Sequence, residues 1–264
     1  MRDDAMGEGP PVLVRRDGGV ARLMLDRPAQ LNALSEELLF RLREELGRLS
    51  GDNGLRAVVL SGNGRAFCAG HDLKEMLAAD DIDAHRALFQ LCSQVMQAIV
   101  ELPVPVIAKV HGVATAAGCQ LVASCDLAIA GQSARFATSG INAGLFCSTP
   151  AVALSRNVAA KRAFEMLVTG EFIDAARAAD WGLVNAAVPD EALDAAVDKL
   201  LASILDKSSA AIRHGKALFN RQRGLSLADA YGHASEVMAC NMMEADAREG
   251  ISAFIEKRRP VWQS

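Results

Sequence analysis

Two stretches of this chain share one layout, and together they restrict its fold more than any other feature. In the first, Leu55-Arg-Ala-Val-Val-Leu60 reads as a buried strand and leads through Gly64-Arg-Ala-Phe-Cys-Ala-Gly-His-Asp-Leu73, a small-residue turn, into a helix opened by Asp72. In the second, Val106-Ile-Ala-Lys-Val110 leads through the small residues Gly112 to Ala117 into a helix from about Gly118. Backbone N–H groups at such a junction lack intrahelical partners and point outward, so they receive an anion or a polarised carbonyl oxygen. Two junctions lying side by side supply the converging donors of an oxyanion hole, each worth about 2.7–4 kcal/mol of transition-state stabilisation. Small residues also serve close packing of strand on helix, and a single junction carries either reading.

The surrounding pattern is α/β. Val12–Arg16 and Val20–Leu25 alternate around Asp17-Gly-Gly and read as a hairpin. Ser35 is an N-cap followed by Glu36 and Glu37, and Leu38, Leu39, Leu42, Leu46 and Leu49 recur at helical spacing up to Gly51. A second helix spans about Asp81 to Glu101, and Leu127–Ala130 and Ala134–Ala137 give further strands, so strands alternate with crossover helices. From about Thr149 helix dominates, with Asp174, Asp190 and Ser226 as N-caps and Gly170, Gly182 and Gly224 as stops. No strand signal occurs from about residue 203 to residue 257. The chain therefore divides into an α/β core over residues 10–202 and a helical subdomain over 203–264.

Composition excludes several classes of function. With 264 residues, about half of them apolar, the chain buries a large core without disulfide or metal. The net charge of -4 comes from interspersed acids and bases, which leaves no footprint for nucleic acid. No apolar run reaches the roughly 18–20 residues needed to span a bilayer, since Lys109 and Asp126 bracket the most hydrophobic stretch. Six cysteines are scattered with no C-x-x-C pair, which argues for reduced thiols rather than disulfides or zinc and places the protein in the cytoplasm. Residues 1–11 read as a frayed cytosolic leader. Phosphate-loop, zinc-protease, serine-hydrolase and dinucleotide fingerprints are all absent.

The run Phe67-Cys-Ala-Gly-His-Asp-Leu-Lys-Glu-Met76, then Pro105 to Gly112 with Gly118-Cys119 and Cys125-Asp126, and last Ala253-Phe-Ile-Glu-Lys-Arg258, resemble in order the landmarks of the crotonase (enoyl-CoA hydratase/isomerase) superfamily. The resemblance covers essentially the whole chain. It implies a crotonase-like spiral of β-β-α units followed by a helical subdomain that forms homotrimers, or hexamers built as a dimer of trimers. It also implies an acyl-CoA ligand, with coenzyme A arriving as part of the substrate rather than as a resident cofactor, and no metal. The amides of His71 and Ala117 would hold the thioester carbonyl. Ala117 stands where the family usually has glycine, a change that costs little unless φ must be positive.

By the same resemblance, Asp26 to Leu34 corresponds to a CoA-contacting loop that presents Ala29, Gln30, Leu31 and Ala33, with Ala69, Asp72, Leu73 and Lys74 beside them toward the adenine. Phe254 and Lys257 would reach the CoA of a neighbouring subunit, Lys257 having the charge to meet a phosphate; a solvated lysine at a helix end is the alternative. Asp126 and Trp181-Gly-Leu-Val184 are expected to be structural.

Two positions depart from the hydratase pattern. Gln120 stands where the family carries its first catalytic glutamate, and Gly140 where it carries the second. Hydration needs a base for water and an acid for the α-carbon, and neither an amide nor a hydrogen atom does that work. The sequence resembles a non-acidic branch, the third of the animal enoyl-CoA hydratase domain-containing proteins with its bacterial counterparts. Three activities remain open: an acyl-CoA binding, hydratase/isomerase-like protein; a decarboxylase-type lyase using His71, a residue also found at that place in the methylmalonyl-CoA decarboxylase branch; and a non-catalytic acyl-CoA binder. His71 also reads as a helix-start packing residue, and Ser148 or Thr149 as a cap after Cys147. Glutamate at 120 and 140 together is expected to confer hydration if the pocket is otherwise intact.

Overall fold

The structure, a computed structural model, describes residues 9–263, and most of the expected leader lies outside the described residues. Two sheets form the core. The first has β1 (Val12–Asp17), β2 (Val20–Leu25), β3 (Ala57–Gly62), β5 (Val106–Val110), β7 (Leu127–Gly131) and β10 (Ala186–Val188) as neighbours in that order; the second has β4 (Ala66–Cys68), β6 (Val113–Thr115), β8 (Arg135–Ala137) and β9 (Ile173–Asp174). The chain visits them alternately. β3 joins the first sheet and β4 the second before the helices α2 (Leu73–Ala78) and α3 (Ile82–Glu101); β5 and β6 then lead into α4 (Ala117–Ser124), and β7 and β8 into α5 (Ser148–Leu154). Each turn of this β-β-α spiral therefore delivers one strand-to-helix junction to the same edge of the second sheet.

Local chemistry explains most of these elements. The hairpin β1–β2 is antiparallel, and β2, β3, β5, β7 and β10 run parallel. All six residues of β3 are buried, as a strand covered on both faces requires. In α1 (Glu36–Ser50), Ser35 accepts from the Leu38 amide at 3.2 Å, and the five leucines expected on one stripe are the five buried residues.

Beyond α5 come α6 (Ala160–Thr169), α7 (Ala175–Asp180), α8 (Leu193–Leu205), α9 (Ser209–Gln222), α10 (Leu227–Met243) and α11 (Ala245–Ile255). The expected helical dominance after Thr149 overlooks β9 and β10, which at two and three residues are too short to show a period. Asp174 and Ser226 cap α7 and α10, but Asp190 does not cap a helix: it opens a 3-10 turn, and its carboxylate accepts from the Ser133 amide at 3.0 Å. α8 crosses the boundary drawn between residues 202 and 203, laying Leu193, Val197 and Leu201 on the outer face of the first sheet.

One buried ion pair clamps the C-terminal helices to the core. Lys216 of α9, its side chain 7% exposed, donates through Nζ to Asp126 at 2.6 Å, Val104 O at 2.9 Å and Ile99 O at 3.0 Å. Asp126 in turn accepts from the Val106 amide at 2.7 Å, which ties the end of α4 to the start of β5. Burial pushes the lysine down and the carboxylate up from their ordinary values, each opposed by the charge of the other. Lys216→Met keeps the aliphatic stem but leaves the Asp126 carboxylate without its cation. We expect it to lower stability by about 2–3 kcal/mol, read as a lower urea midpoint at unchanged slope.

Candidate active site

The first junction is held from below by the loop between β2 and α1. Leu31 and Asn32 both adopt positive φ, at 54° and 55°, and this turns the Asn32 side chain inward. Its amide nitrogen donates to Asn63 O, Ala66 O and Phe67 O at 2.9, 2.8 and 3.2 Å, while its oxygen accepts from the Arg27 amide at 2.9 Å. The same loop then runs along residues 69–72: the Ala69 amide donates to Leu31 O at 3.0 Å, the Leu34 amide to Gly70 O at 2.8 Å, and the Asp72 amide to Leu34 O at 3.2 Å. That parallel register employs the amides of Leu34 and Asp72 and turns the His71 N–H to the opposite side.

The second junction lies on that side. β6 pairs with β4 in parallel, and after Thr115 the backbone turns sharply at Ala116, with φ 49° and ψ −119°, before α4 begins at Ala117. This conformation belongs to glycine in ordinary turns. The positive φ falls at Ala116 and not at Ala117, so alanine at 117 carries no such cost; Ala117 is the first helical residue, whose N–H has no intrahelical acceptor. Among the described residues, neither the His71 nor the Ala117 amide donates a hydrogen bond to another backbone group. The two junctions touch: a Cβ on Gly70, itself at φ +95°, would stand 2.9 Å from Ala116 Cβ and 3.4 Å from Ala117 N.

Above the amides lies a cavity of about 290 Å³, walled by apolar side chains such as Met76, Phe89, Leu145 and Phe146. Its polar side chains are His71, Ser139, Cys147, Ser148 and Thr149, and no carboxylate is among them. The His71 ring meets Phe89 edge to face, with centroids 5.4 Å apart, and its Nε2 is buried without a hydrogen-bond partner. Burial pushes its pKa from 6.5 down to about 4, so the imidazole is neutral at pH 7. Ser139 shares a 2.7 Å hydrogen bond with Thr115. Cys147 is raised by burial, while a hydrogen bond with the Gly140 backbone pulls the other way.

The remaining sequence-predicted positions divide into three groups. Gly140, Ala69 and Leu73 line the cavity with His71 and Ala117. Ala29, Gln30, Leu31, Ala33, Asp72 and Lys74 are not in its lining and lie on the loop just described or at the start of α2. Asp72 caps α2 by accepting from the Lys74 amide at 3.1 Å and pairs with Arg27 at 3.4 Å. Phe254, 85% exposed, and Lys257 sit at the end of α11 and do not reach the cavity of their own chain.

Gln120 differs from expectation. It is 4% exposed, its Oε1 has no partner, and it borders a second, larger cavity of about 1160 Å³ between α3, α4, α5 and α9 rather than the one above the amides. Three residues beyond Ala117 it lies about 4.5 Å further along the helix axis, below the cavity floor. Asn32 and Ala116, which position the two amides, were not singled out from the sequence. An asparagine beside Leu31 in a polar turn carried a usable signal, but a strained alanine within an alanine run carried none.

With this geometry in place, the likeness to known proteins is extensive. The family model for enoyl-CoA hydratase/isomerase matches residues 15–264. Enoyl-CoA hydratase domain-containing protein 3, mitochondrial, of Xenopus laevis is 46% identical, across 96% of this chain and 86% of its own. A crystal structure of enoyl-CoA hydratase from Mycobacterium smegmatis superposes with a TM-score of 0.96 at 56% identity, covering 97% of this chain and 100% of that one. Human enoyl-CoA hydratase domain-containing protein 3 superposes at 0.92 with 44% identity, covering 96% and 100%. The vertebrate relatives are named mitochondrial, which overturns the cytoplasmic placement expected above. Scattered unpaired cysteines argue against an oxidising compartment without saying which of the others a protein occupies.

Two outcomes follow from the site's backbone and its histidine. Replacing Ala116 by glycine relieves a side chain from a conformation that costs on the order of 1–3 kcal/mol, and should raise the melting temperature despite glycine's greater freedom when unfolded. For His71, the unfolded chain takes up a proton near pH 6.5 and the folded one only near pH 4. Its contribution to stability is therefore fully present above pH 6.5 and is lost as the pH falls through this window. Between pH 6.5 and 4.5 the loss is about 2–3 kcal/mol, and urea titrations of His71→Phe should show that much less acid destabilisation than the parent.

Proposed function

Because the chain belongs to the enoyl-CoA hydratase/isomerase family, we propose that it binds an acyl-CoA thioester with the carbonyl oxygen between the His71 and Ala117 amides, and that it does so without two-carboxylate hydration chemistry. The observation that carries this reading is the pairing of two unengaged amides with a cavity whose lining contains no carboxylate. Preorganised amides stabilise charge that develops on the thioester oxygen, which favours any reaction passing through an enolate. Water activation and α-carbon protonation are separate tasks, and each proton-transfer group contributes typically 10²–10⁴-fold. Gln120 and Gly140 perform neither.

The neutral imidazole of His71, buried without a partner in the same lining, favours a second reading: a lyase that decarboxylates a malonyl-type CoA, with the amides holding the enolate and His71 handling the proton. Assembly as a homotrimer, or as a dimer of such trimers, is supported by α10. This helix buries none of its residues within the chain and exposes Leu227, Tyr231, Met238 and Met243. Phe254 and Lys257 would then meet the CoA of a neighbour.

Calorimetry with butyryl-CoA should give a saturable isotherm. Crotonyl-CoA hydration should run at least about 10²–10⁴-fold below that of a two-carboxylate hydratase assayed in parallel, and equal rates would overturn the reading. Decarboxylation of methylmalonyl-CoA that disappears in His71→Ala would select the lyase, and binding with no turnover of either substrate the non-catalytic binder. Contrary to the expectation from sequence alone, Gln120→Glu with Gly140→Glu should not restore hydration. A Cβ at position 140 meets Leu145 O at 2.7 Å and Cys147 Sγ at 2.8 Å, and residue 120 looks into the other cavity.

A further inference from the structure

The side chain that the family would project from position 140 is missing, and the space it would enter is occupied. Cys147 Sγ stands 2.8 Å from where a Cβ on Gly140 would be, on the wall of the same cavity as the two amides. It belongs to a residue 7% exposed. Of the six cysteines, only Cys147 lines this cavity; Cys68, Cys92 and Cys119 are buried elsewhere with their thiols pushed up to about 12, Cys125 is buried and likewise raised, and Cys240 is on the surface. A thiol, a neutral imidazole without a partner and two unengaged amides thus border one apolar space.

We propose that Cys147 is a nucleophile toward α,β-unsaturated acyl-CoA thioesters and forms a thioether at their β-carbon. This rests on the acyl-CoA reading above. In the step, the bond from Sγ to the β-carbon forms while the electron pair of the Cα=Cβ bond moves onto the thioester oxygen as an enolate, held by the His71 and Ala117 amides. The S–H bond breaks as this bond forms and its proton ends on the α-carbon, so that no oxidant or reductant is consumed. Nothing leaves, and the adduct retains the whole CoA. Burial holds the Cys147 thiol protonated at rest, and the Gly140 backbone hydrogen bond to Sγ offsets part of that cost as the proton departs.

The test is intact-protein mass spectrometry after incubation with crotonyl-CoA and a denaturing quench. The parent should gain the mass of one whole crotonyl-CoA. Cys147→Ser should show at least tenfold less adduct while still binding butyryl-CoA, and Cys240→Ser should label like the parent. Parent protein that binds butyryl-CoA yet gains no mass overturns this inference and leaves the acyl-CoA reading standing; failure to bind butyryl-CoA removes both. A gain of the crotonyl group alone, with CoA released, would mean attack at the carbonyl instead and overturn the β-carbon assignment. Adduct that persists in Cys147→Ser would place the nucleophile elsewhere.

Discussion

Complete burial of α4 is the constraint on which the rest depends. All eight residues from Ala117 to Ser124 are buried, so the helix is gripped from every side and its first amide has one position. Its entry is fixed by Ala116, whose amide donates to Ala137 O of β8 at 3.0 Å, and its exit by Asp126, whose carboxylate accepts from β5 and from Lys216 of α9. Both sheets and the C-terminal helices therefore converge on one short segment. Backbone strain at Ala116 is sustained because packing around α4 leaves the chain no other path.

The opposite amide is positioned by a different device. Asn32 spends its side chain on four backbone groups, one in the turn between β3 and β4 and two in β4 itself, and is wholly buried. An amide side chain suits this place because it offers a donor and an acceptor at once and tolerates the left-handed conformation found there. With Gly70 free of a Cβ, the first junction packs directly against Ala116 and Ala117. A rigid helix start and a side-chain-braced turn are independent supports for one hydrogen-bonding site.

Much of this was legible in the chain. The leucine stripe of α1, the strand Val106–Val110 and both junctions were readable because period, cap and small-residue turn coincide at each. β9 and β10 were not, since two or three residues have no period and are strands only through their neighbours. At the site, the identity of residues 120 and 140 was visible but not their surroundings. That Gln120 borders the second cavity, and that Cys147 and Leu145 fill the room beside Gly140, are consequences of tertiary packing. A motif records which side chain is present and not which space it faces.

A lining without carboxylates among the described residues also sets the electrostatics of the cavity. An enolate held between two amides carries negative charge, and a neighbouring carboxylate in a cavity of low dielectric would oppose it strongly. In this cavity no lining side chain carries a negative charge, and the one imidazole is neutral at pH 7. An anion set against these amides would meet no opposing charge from the lining side chains. Such a site suits reactions whose difficulty lies in reaching the enolate rather than in activating water.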